Sequence, residues 1–205
     1  MDDLKTVANE VRACKLCALS AARKKPVPGE GPANAEVMLI GEGPGFHEDQ
    51  QGRPFVGPSG EFLNELMISA GFERNDVFIT NVVKCRPPSN REPLPEEIAA
   101  CAAYLDRQIA LINPKVIITL GRYSMARFFP KEKISAIHGK AQRIDGRIVV
   151  AMYHPALALH QPASRQAIED DFRNLRQIVA AAQKQADEKA QPKPKQDEGK
   201  QLSLF

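Results

Sequence analysis

The sequence lacks any run of about 18 apolar residues, the length at which a membrane-spanning helix becomes a candidate. Its first residues, MDDLKTVANEVRAC, carry early acidic side chains and no apolar core segment, so they do not resemble a secretory signal. No internal repeat is visible. We therefore expect a cytoplasmic protein that has no membrane partner.

Cysteine is scarce, with four residues in a chain of 205: Cys14, Cys17, Cys85 and Cys101. In a reducing compartment these thiols are not expected to form two disulfides, which leaves four buried thiols or a metal site. Cys14 and Cys17 form one tight CxxC pair, but Cys85 and Cys101 are too far apart to form a second. A zinc ribbon usually has two such pairs. The residues alone leave zinc and an iron–sulfur cluster both open.

Excess charge is also small, since 28 basic residues against 25 acidic ones give a net charge of +3. This balance permits nucleic acid as a partner without requiring it. The length suits one well-buried domain rather than two.

Four short and nearly continuous apolar runs are the main structural signal. Continuous apolar character is typical of strands that are covered on both faces. Segments with apolar residues at helical spacing lie before, between and after these runs. The alternation predicts an α/β fold, a three-layer αβα sandwich around a central four-stranded parallel sheet. The predicted strands are 36–41, 76–83, 115–121 and 147–153, and the predicted helices are 3–13, 60–70, 95–112 and 163–182.

The composition changes after residue 183. Residues 184–200 contain no large apolar side chain and cannot bury enough surface to fold, so we predict a disordered linker there. The last five residues are Gln201, Leu202, Ser203, Leu204 and Phe205, and three of these five are large and apolar. The predicted organisation is a folded domain over 1–183, the linker, and a terminal peptide over 201–205.

Chemically useful side chains follow several of the predicted strands. The first strand runs into Gly41-Glu42-Gly43-Pro44-Gly45, which is neither a dinucleotide fingerprint nor a phosphate-binding loop. Phe55, Asn81 and His154 lie just beyond this loop or at other strand ends. The carboxyl ends of parallel strands share one edge, so these groups are expected to converge there.

Such a set can hold a flat heterocycle, because the phenyl ring stacks, the amide tests donors and acceptors, and backbone N–H groups bind oxygens. Taken singly, each residue has a simpler interpretation. Phe55 could be core, Asn81 a turn residue and His154 a loop cap. Their joint placement favours a ligand site.

Long motifs connect these residues to a known family. GEGPGxxED with GRPFVGPSG, then TNVVKCRPPxNRxP, then YHPA, resemble the thermophile-type (family 4) uracil-DNA glycosylases over residues 14–175. The resemblance implies a uracil-DNA glycosylase-like fold and excision of uracil from DNA, the first step of base excision repair. It also implies a [4Fe-4S] cluster held by Cys14, Cys17, Cys85 and Cys101.

The resemblance assigns roles to residues of the predicted edge. His154 would donate a hydrogen bond to uracil O2, with help from backbone N–H groups of the glycine-rich loop. Asn81 would pair with the O4 and N3–H edge, and Phe55 would stack on the flipped base. Glu42 is the preferred carboxylate for the water or the sugar cation, while Glu48 could do the same or exclude a thymine methyl. The remaining implied contacts are substrate binding by Gly41, Gly43 and Gly45, and intercalation into the DNA by Leu157 and Leu159, although either leucine could instead be core.

Basic residues near the two cysteine-bearing segments could face the DNA backbone, or could simply be solvated. They are Lys15, Arg23, Lys24, Lys25, Lys84, Arg86 and Arg91.

The terminal peptide QLSLF resembles the segment with which bacterial repair and replication proteins bind the DNA sliding clamp. We therefore expect a monomeric, nucleoid-associated enzyme tethered to the clamp through residues 201–205. Three alternatives remain open: a glycosylase that accepts further deaminated bases, a non-catalytic iron–sulfur protein that binds DNA, and an iron–sulfur electron carrier.

Overall fold

The structure is a computed structural model that describes residues 2–190. Ten α-helices and five strands lie in this part of the chain. The strands are β1 Val37–Gly41, β2 Val77–Asn81, β3 Val116–Leu120, β4 Lys140–Ile144 and β5 Arg147–Met152. The helices are α1 Leu4–Ala13, α2 Leu19–Ala22, α3 Phe46–Gln51, α4 Pro58–Ser69, α5 Pro95–Ile112, α6 Arg122–Ala126, α7 Ile134–Ile137, α8 Ala156–His160, α9 Arg165–Arg173 and α10 Leu175–Ala190.

The sheet has the order β2-β1-β3-β5-β4. Strands β2, β1, β3 and β5 run parallel to one another, and they are the four strands that the sequence predicts. The prediction of a four-stranded, wholly parallel sheet is wrong, because β4 adds a fifth, antiparallel edge strand next to β5.

The fifth strand is hard to predict because its residues, KAQRI, are mostly polar and partly exposed. Polar and basic side chains are typical of an edge strand that must not pair with other chains. One signal was available: Asp145-Gly146 separates β4 from β5, and both residues have positive φ, 48° and 79°. An Asp-Gly pair in that conformation forms a tight hairpin turn.

Apolar side chains of the parallel strands are buried on both faces of the sheet. On one face, β1 and β2 contribute Leu39 and Ile79 to a cluster completed by α4, α9 and α10. On the other, Ile40 and Ile117 pack in a second cluster with residues of α5 and α6. Helices therefore cover both faces, as the alternating pattern predicts.

The end of the folded part differs from the prediction in two ways. The helix expected over 163–182 is two helices, α9 and α10, separated at Asn174. Helix α10 also continues to Ala190, seven residues into the segment that begins the predicted linker. The remaining linker residues and the terminal peptide, 191–205, lie outside the described residues.

No helix within residues 2–190 combines the length and the apolar character that crossing a bilayer requires.

Candidate active site

A cleft of about 760 Å³ opens at the carboxyl edge of the parallel strands. The structure brings to this cleft nearly all the residues that the sequence predicts for the site. They are Glu42, Gly43, Gly45, Glu48, Phe55, Asn81, His154, Leu157 and Leu159. Gly41 lies at the end of β1, paired in register with Asn81, and a Cβ atom there would be 2.4 Å from Asn81 Oδ1.

Asn81, the last residue of β2, has a buried polar atom without a hydrogen-bond partner among the described residues. Its residue is only 1% exposed, yet its Oδ1 has no hydrogen-bond partner among the described residues. A buried acceptor without a partner costs about 1–3 kcal/mol, which native proteins seldom tolerate without a reason. This oxygen is therefore an acceptor available to a donor that enters the cleft.

His154 follows β5 and is held in one tautomer by its neighbour. The backbone N–H of Ala156 donates to its Nδ1 at 3.1 Å, so the ring proton of the neutral side chain must be on Nε2. Burial lowers the pKa of His154 to about 4, against a smaller opposing effect from the charge of Glu48. At neutral pH the ring is therefore uncharged and keeps one N–H donor.

Phe55 is buried in a strained backbone conformation, with φ of 50°. Its ring lies 5.5 Å from the ring of His154, with the two planes 25° apart. Arg74 donates hydrogen bonds to the carbonyl oxygens of Phe55 and Pro54, at 3.2 and 2.6 Å. Gly60 packs so closely that a Cβ atom there would be 2.1 Å from the Phe55 carbonyl oxygen. These neighbours hold the strained residue in place.

Glu48 lies at the cleft, and its side chain is buried. Its carboxylate accepts three backbone hydrogen bonds, from the N–H groups of Gly45, Val56 and Gly57, at 3.1, 2.9 and 3.1 Å. These contacts join the glycine-rich loop to the segment that follows Phe55. They also occupy the Gly45 N–H, one of the loop N–H groups that the resemblance implied for uracil O2. Glu48 therefore links the two segments through its carboxylate.

Glu42 keeps a freer carboxylate at the cleft. Burial raises its pKa above the ordinary value of 4.5, and the nearby charge of Glu92 raises it further, while Arg122 opposes both effects. A carboxylate with a raised pKa in a cleft is a candidate for accepting a proton.

The two leucines of α8 differ in surroundings. Leu157 packs against the apolar cluster on one face of the sheet, whereas Leu159 is 46% exposed. Of the two, Leu159 offers more free surface for intercalation into DNA.

The four cysteines are neighbours in the folded chain. All four are free thiols and line one small cavity between α1, α2, the loop after β2 and α5. Arg23 reaches them, since its Nη1 donates to Cys85 Sγ at 3.0 Å. Within residues 2–190, no three histidine, cysteine or acidic side chains are arranged to hold a metal ion.

Lys84 is a residue whose place the sequence did not indicate. It was predicted in the basic DNA-facing patch, but it is 1% exposed. Its ammonium donates to Thr80 Oγ1, the Asn81 carbonyl and Gln108 Oε1, at 2.6, 2.8 and 2.7 Å. Lysine is almost never fully buried, so no local sequence signal predicts that Lys84 is buried and donates to the Asn81 carbonyl oxygen.

Two further basic residues of this group are engaged with other protein side chains. Arg23 is directed at the cysteines, and Arg91 forms an ion pair with Glu97 at 2.6 Å. Lys15, Lys24 and Lys25 remain exposed, and Arg86 is half-exposed.

Comparison with known proteins places this fold and cleft in one class. A family model described as the uracil DNA glycosylase superfamily matches residues 28–179. Proteins named type-4 uracil-DNA glycosylase from Saccharolobus solfataricus and Sulfurisphaera tokodaii are 48% and 47% identical, over 88% and 87% of this chain and 88% and 86% of theirs. One from Thermotoga maritima is 39% identical over 86% of this chain and 94% of its own. The chain belongs to the type-4 family of this superfamily.

Proposed function

We propose that the protein removes uracil from DNA by hydrolysing the bond between the base and its deoxyribose, which starts base excision repair. The observation that carries the proposal is the unpaired Oδ1 of Asn81, in a cleft that also holds the N–H of His154 and the ring of Phe55. Membership in the type-4 family supports the same activity.

Recognition rests on Asn81. Its Oδ1 accepts the N3–H of uracil and its amide NH₂ donates to O4, which satisfies the orphaned oxygen. Cytosine has an unprotonated N3 and an amine at C4, so it would oppose acceptor to acceptor and donor to donor. A site built to hydrogen-bond one pattern rejects a mismatched one strongly, because buried polar groups are left unpaired.

Bond cleavage leaves an electron pair on uracil N1 and positive charge on the sugar. The negative charge spreads to O2, where the Nε2–H of His154 donates a hydrogen bond. Phe55 stacks on the extruded base. Glu42 orients the water whose oxygen bonds to C1′ of the sugar, and its carboxylate accepts the proton that this water loses. Glu48 positions the loop without touching the reacting atoms.

Replacing Glu42 with glutamine is expected to lower kcat about 100-fold at neutral pH, because a general base contributes about 10²–10⁴-fold. The base must be ionised, so wild-type activity is present above the pKa of Glu42 and is lost as pH falls through it. That pKa lies above 4.5. The pH profile of kcat should therefore show an acid limb that Glu42→Gln removes.

A matched variant is Glu92→Gln. The charge of Glu92 raises the pKa of Glu42, so its removal should move the acid limb to lower pH without abolishing it. An unchanged limb in Glu42→Gln would show that another group accepts the proton.

We further propose that Cys14, Cys17, Cys85 and Cys101 hold a [4Fe-4S] cluster. Four cysteine side chains around one cavity can supply the soft thiolate ligands that iron–sulfur clusters use. The Arg23 guanidinium places positive charge beside the sulfur of Cys85. The cluster would tie the segment around residues 14–17 to α5 and to the loop after β2, a structural role.

The proposals are tested on the purified protein with oligonucleotides that contain uracil, hypoxanthine or a thymine mismatch, followed by alkaline cleavage. We expect cutting at uracil alone, and a broad visible absorption band from the cluster. Comparable cutting at hypoxanthine would favour the broader-specificity alternative, and no cutting would favour a non-catalytic DNA-binding protein. A colourless protein would favour zinc.

Contact with DNA is proposed for Leu159, which enters the gap left by the extruded base, and for the exposed lysines, which bind phosphates. The segment 201–205 is proposed to bind the bacterial sliding clamp, with Leu204 and Phe205 as apolar anchors. The protein is proposed to act as a monomer.

Deleting residues 201–205 is expected to leave excision from short oligonucleotides unchanged and to abolish binding to the purified clamp, measured by surface plasmon resonance. The reason is that the peptide supplies the anchors while the catalytic residues lie between 42 and 154. Clamp binding that survives the deletion would refute this assignment.

A further inference from the structure

We propose that Phe46 is a stacking platform for a nucleobase that flanks the uracil in the same strand. The inference deepens the proposed function, since it assigns a second base-binding position beside the uracil cleft. The side chain lines the same cleft and is 52% exposed. It is the one aromatic ring among the exposed large apolar side chains of residues 2–190.

The surroundings of Phe46 fit a nucleotide rather than a protein partner. The guanidinium of Arg86 lies 5.2 Å from the centre of the ring, and Arg86 Nε is fixed by a hydrogen bond of 2.7 Å to Asn90 Oδ1. An aromatic ring beside a cation is the combination that binds single-stranded nucleic acid, because the ring stacks on a base and the cation attracts its phosphate.

The platform is rigidly connected to the uracil loop. Phe46 begins α3 directly after Gly45, and Glu48 holds the Gly45 N–H from within the same helix. His47 packs edge-to-face against the Phe46 ring, with ring centres 5.5 Å apart. The ring therefore lies at the cleft into which the flipped base is proposed to enter.

Phe46 and Phe55 have separate tasks. Phe55 is buried in the cleft against His154, where the uracil itself is proposed to bind. Phe46 lines the same cleft but is 52% exposed. Extrusion of the uracil removes one stacking neighbour from each flanking base, and stacking on Phe46 replaces that contact for one of them.

The test compares single-stranded oligonucleotides in which the 5′ or the 3′ neighbour of uracil is a normal nucleotide or a tetrahydrofuran abasic residue. For the wild-type protein, kcat/KM should fall about tenfold when the base on one flank is removed, in line with the energy of one base–aromatic stack. Phe46→Ala should show that loss on the normal substrate and no further loss when either flanking base is removed.

Ile68→Ala is the matched control, because Ile68 is 71% exposed on α4 and does not line the cleft. It should keep the wild-type dependence on the flanking base. A Phe46→Ala protein that keeps that dependence, or a wild-type protein indifferent to both flanks, overturns the proposal.

Binding separates this proposal from the proposed function. Fluorescence anisotropy with a 2′-fluorinated deoxyuridine strand, which resists cleavage, should give the same pattern of Kd changes. If the protein cuts no uracil, the proposed function fails, while the pattern of Kd values still decides whether Phe46 stacks on a base.

Discussion

His154→Leu is expected to lower kcat about 100- to 1,000-fold, the effect of removing one donor from a developing oxyanion. The Ala156 N–H occupies Nδ1 and leaves Nε2–H as the donor, and the pKa of about 4 keeps the ring neutral at working pH. Leucine fills the same space without a donor. Single-turnover kinetics on a uracil-containing oligonucleotide measure the loss.

Two comparisons show whether the loss comes from the donor. His154→Gln keeps an N–H group near the same place and should recover part of the rate. A 5-fluorouracil substrate leaves as a more stable anion and depends less on the donor, so His154→Leu should lose less on it than on uracil. An equal loss on both substrates would mean that His154 acts in some way other than by stabilising O2.

The hydrogen-bond partners of Glu48 and Asn81 differ in a way that the sequence does not show. Glu48 and Asn81 are both buried polar residues at the cleft. Glu48 is satisfied by three backbone N–H groups, whereas Asn81 Oδ1 has no partner among the described residues. A satisfied group stabilises the protein itself, and an orphaned one is available for a ligand. On the same reasoning we propose a structural role for Glu48, whose predicted catalytic role is untested.

The parts of the fold that follow from local patterns could be predicted from sequence. The four apolar runs became β1, β2, β3 and β5, and the helix expected over 95–112 is α5, Pro95–Ile112. The convergence of Asn81, Phe55 and His154 followed from the rule that parallel strands end at one edge.

The features that depend on tertiary contacts could not be predicted. β4 is polar and exists because β5 offers an edge and Asp145-Gly146 turns the chain. Lys84 has the local sequence of a surface cation, and its burial depends on Gln108, which is 24 residues away. The hydrogen bond from Arg74 to the Phe55 carbonyl oxygen likewise joins residues 19 positions apart.

Gly41→Ala is expected to lower kcat/KM about 100-fold or more, because a misplacement of about 1 Å in a catalytic site can cost that much. A Cβ at position 41 would be 2.4 Å from Asn81 Oδ1 and 2.7 Å from Phe55 Cζ. These are the two groups that the proposed mechanism uses to read and to stack the base. A methyl group there must push at least one of them away. Steady-state kinetics on uracil-containing DNA, with thermal unfolding as the check on folding, measure the effect.

A double-mutant cycle with Phe55→Leu shows where the methyl group acts. Leucine lacks the ring atoms at Cζ and Cε2, both of which lie within 3 Å of the added Cβ. If the ring is what the methyl group displaces, the cost of Gly41→Ala should be much smaller in the Phe55→Leu background, since residues in contact do not act additively. Additive losses would place the damage on Asn81 instead. Either outcome would trace the effect to the same cause, which is the close approach of the Asn81 amide and the Phe55 ring to the end of β1.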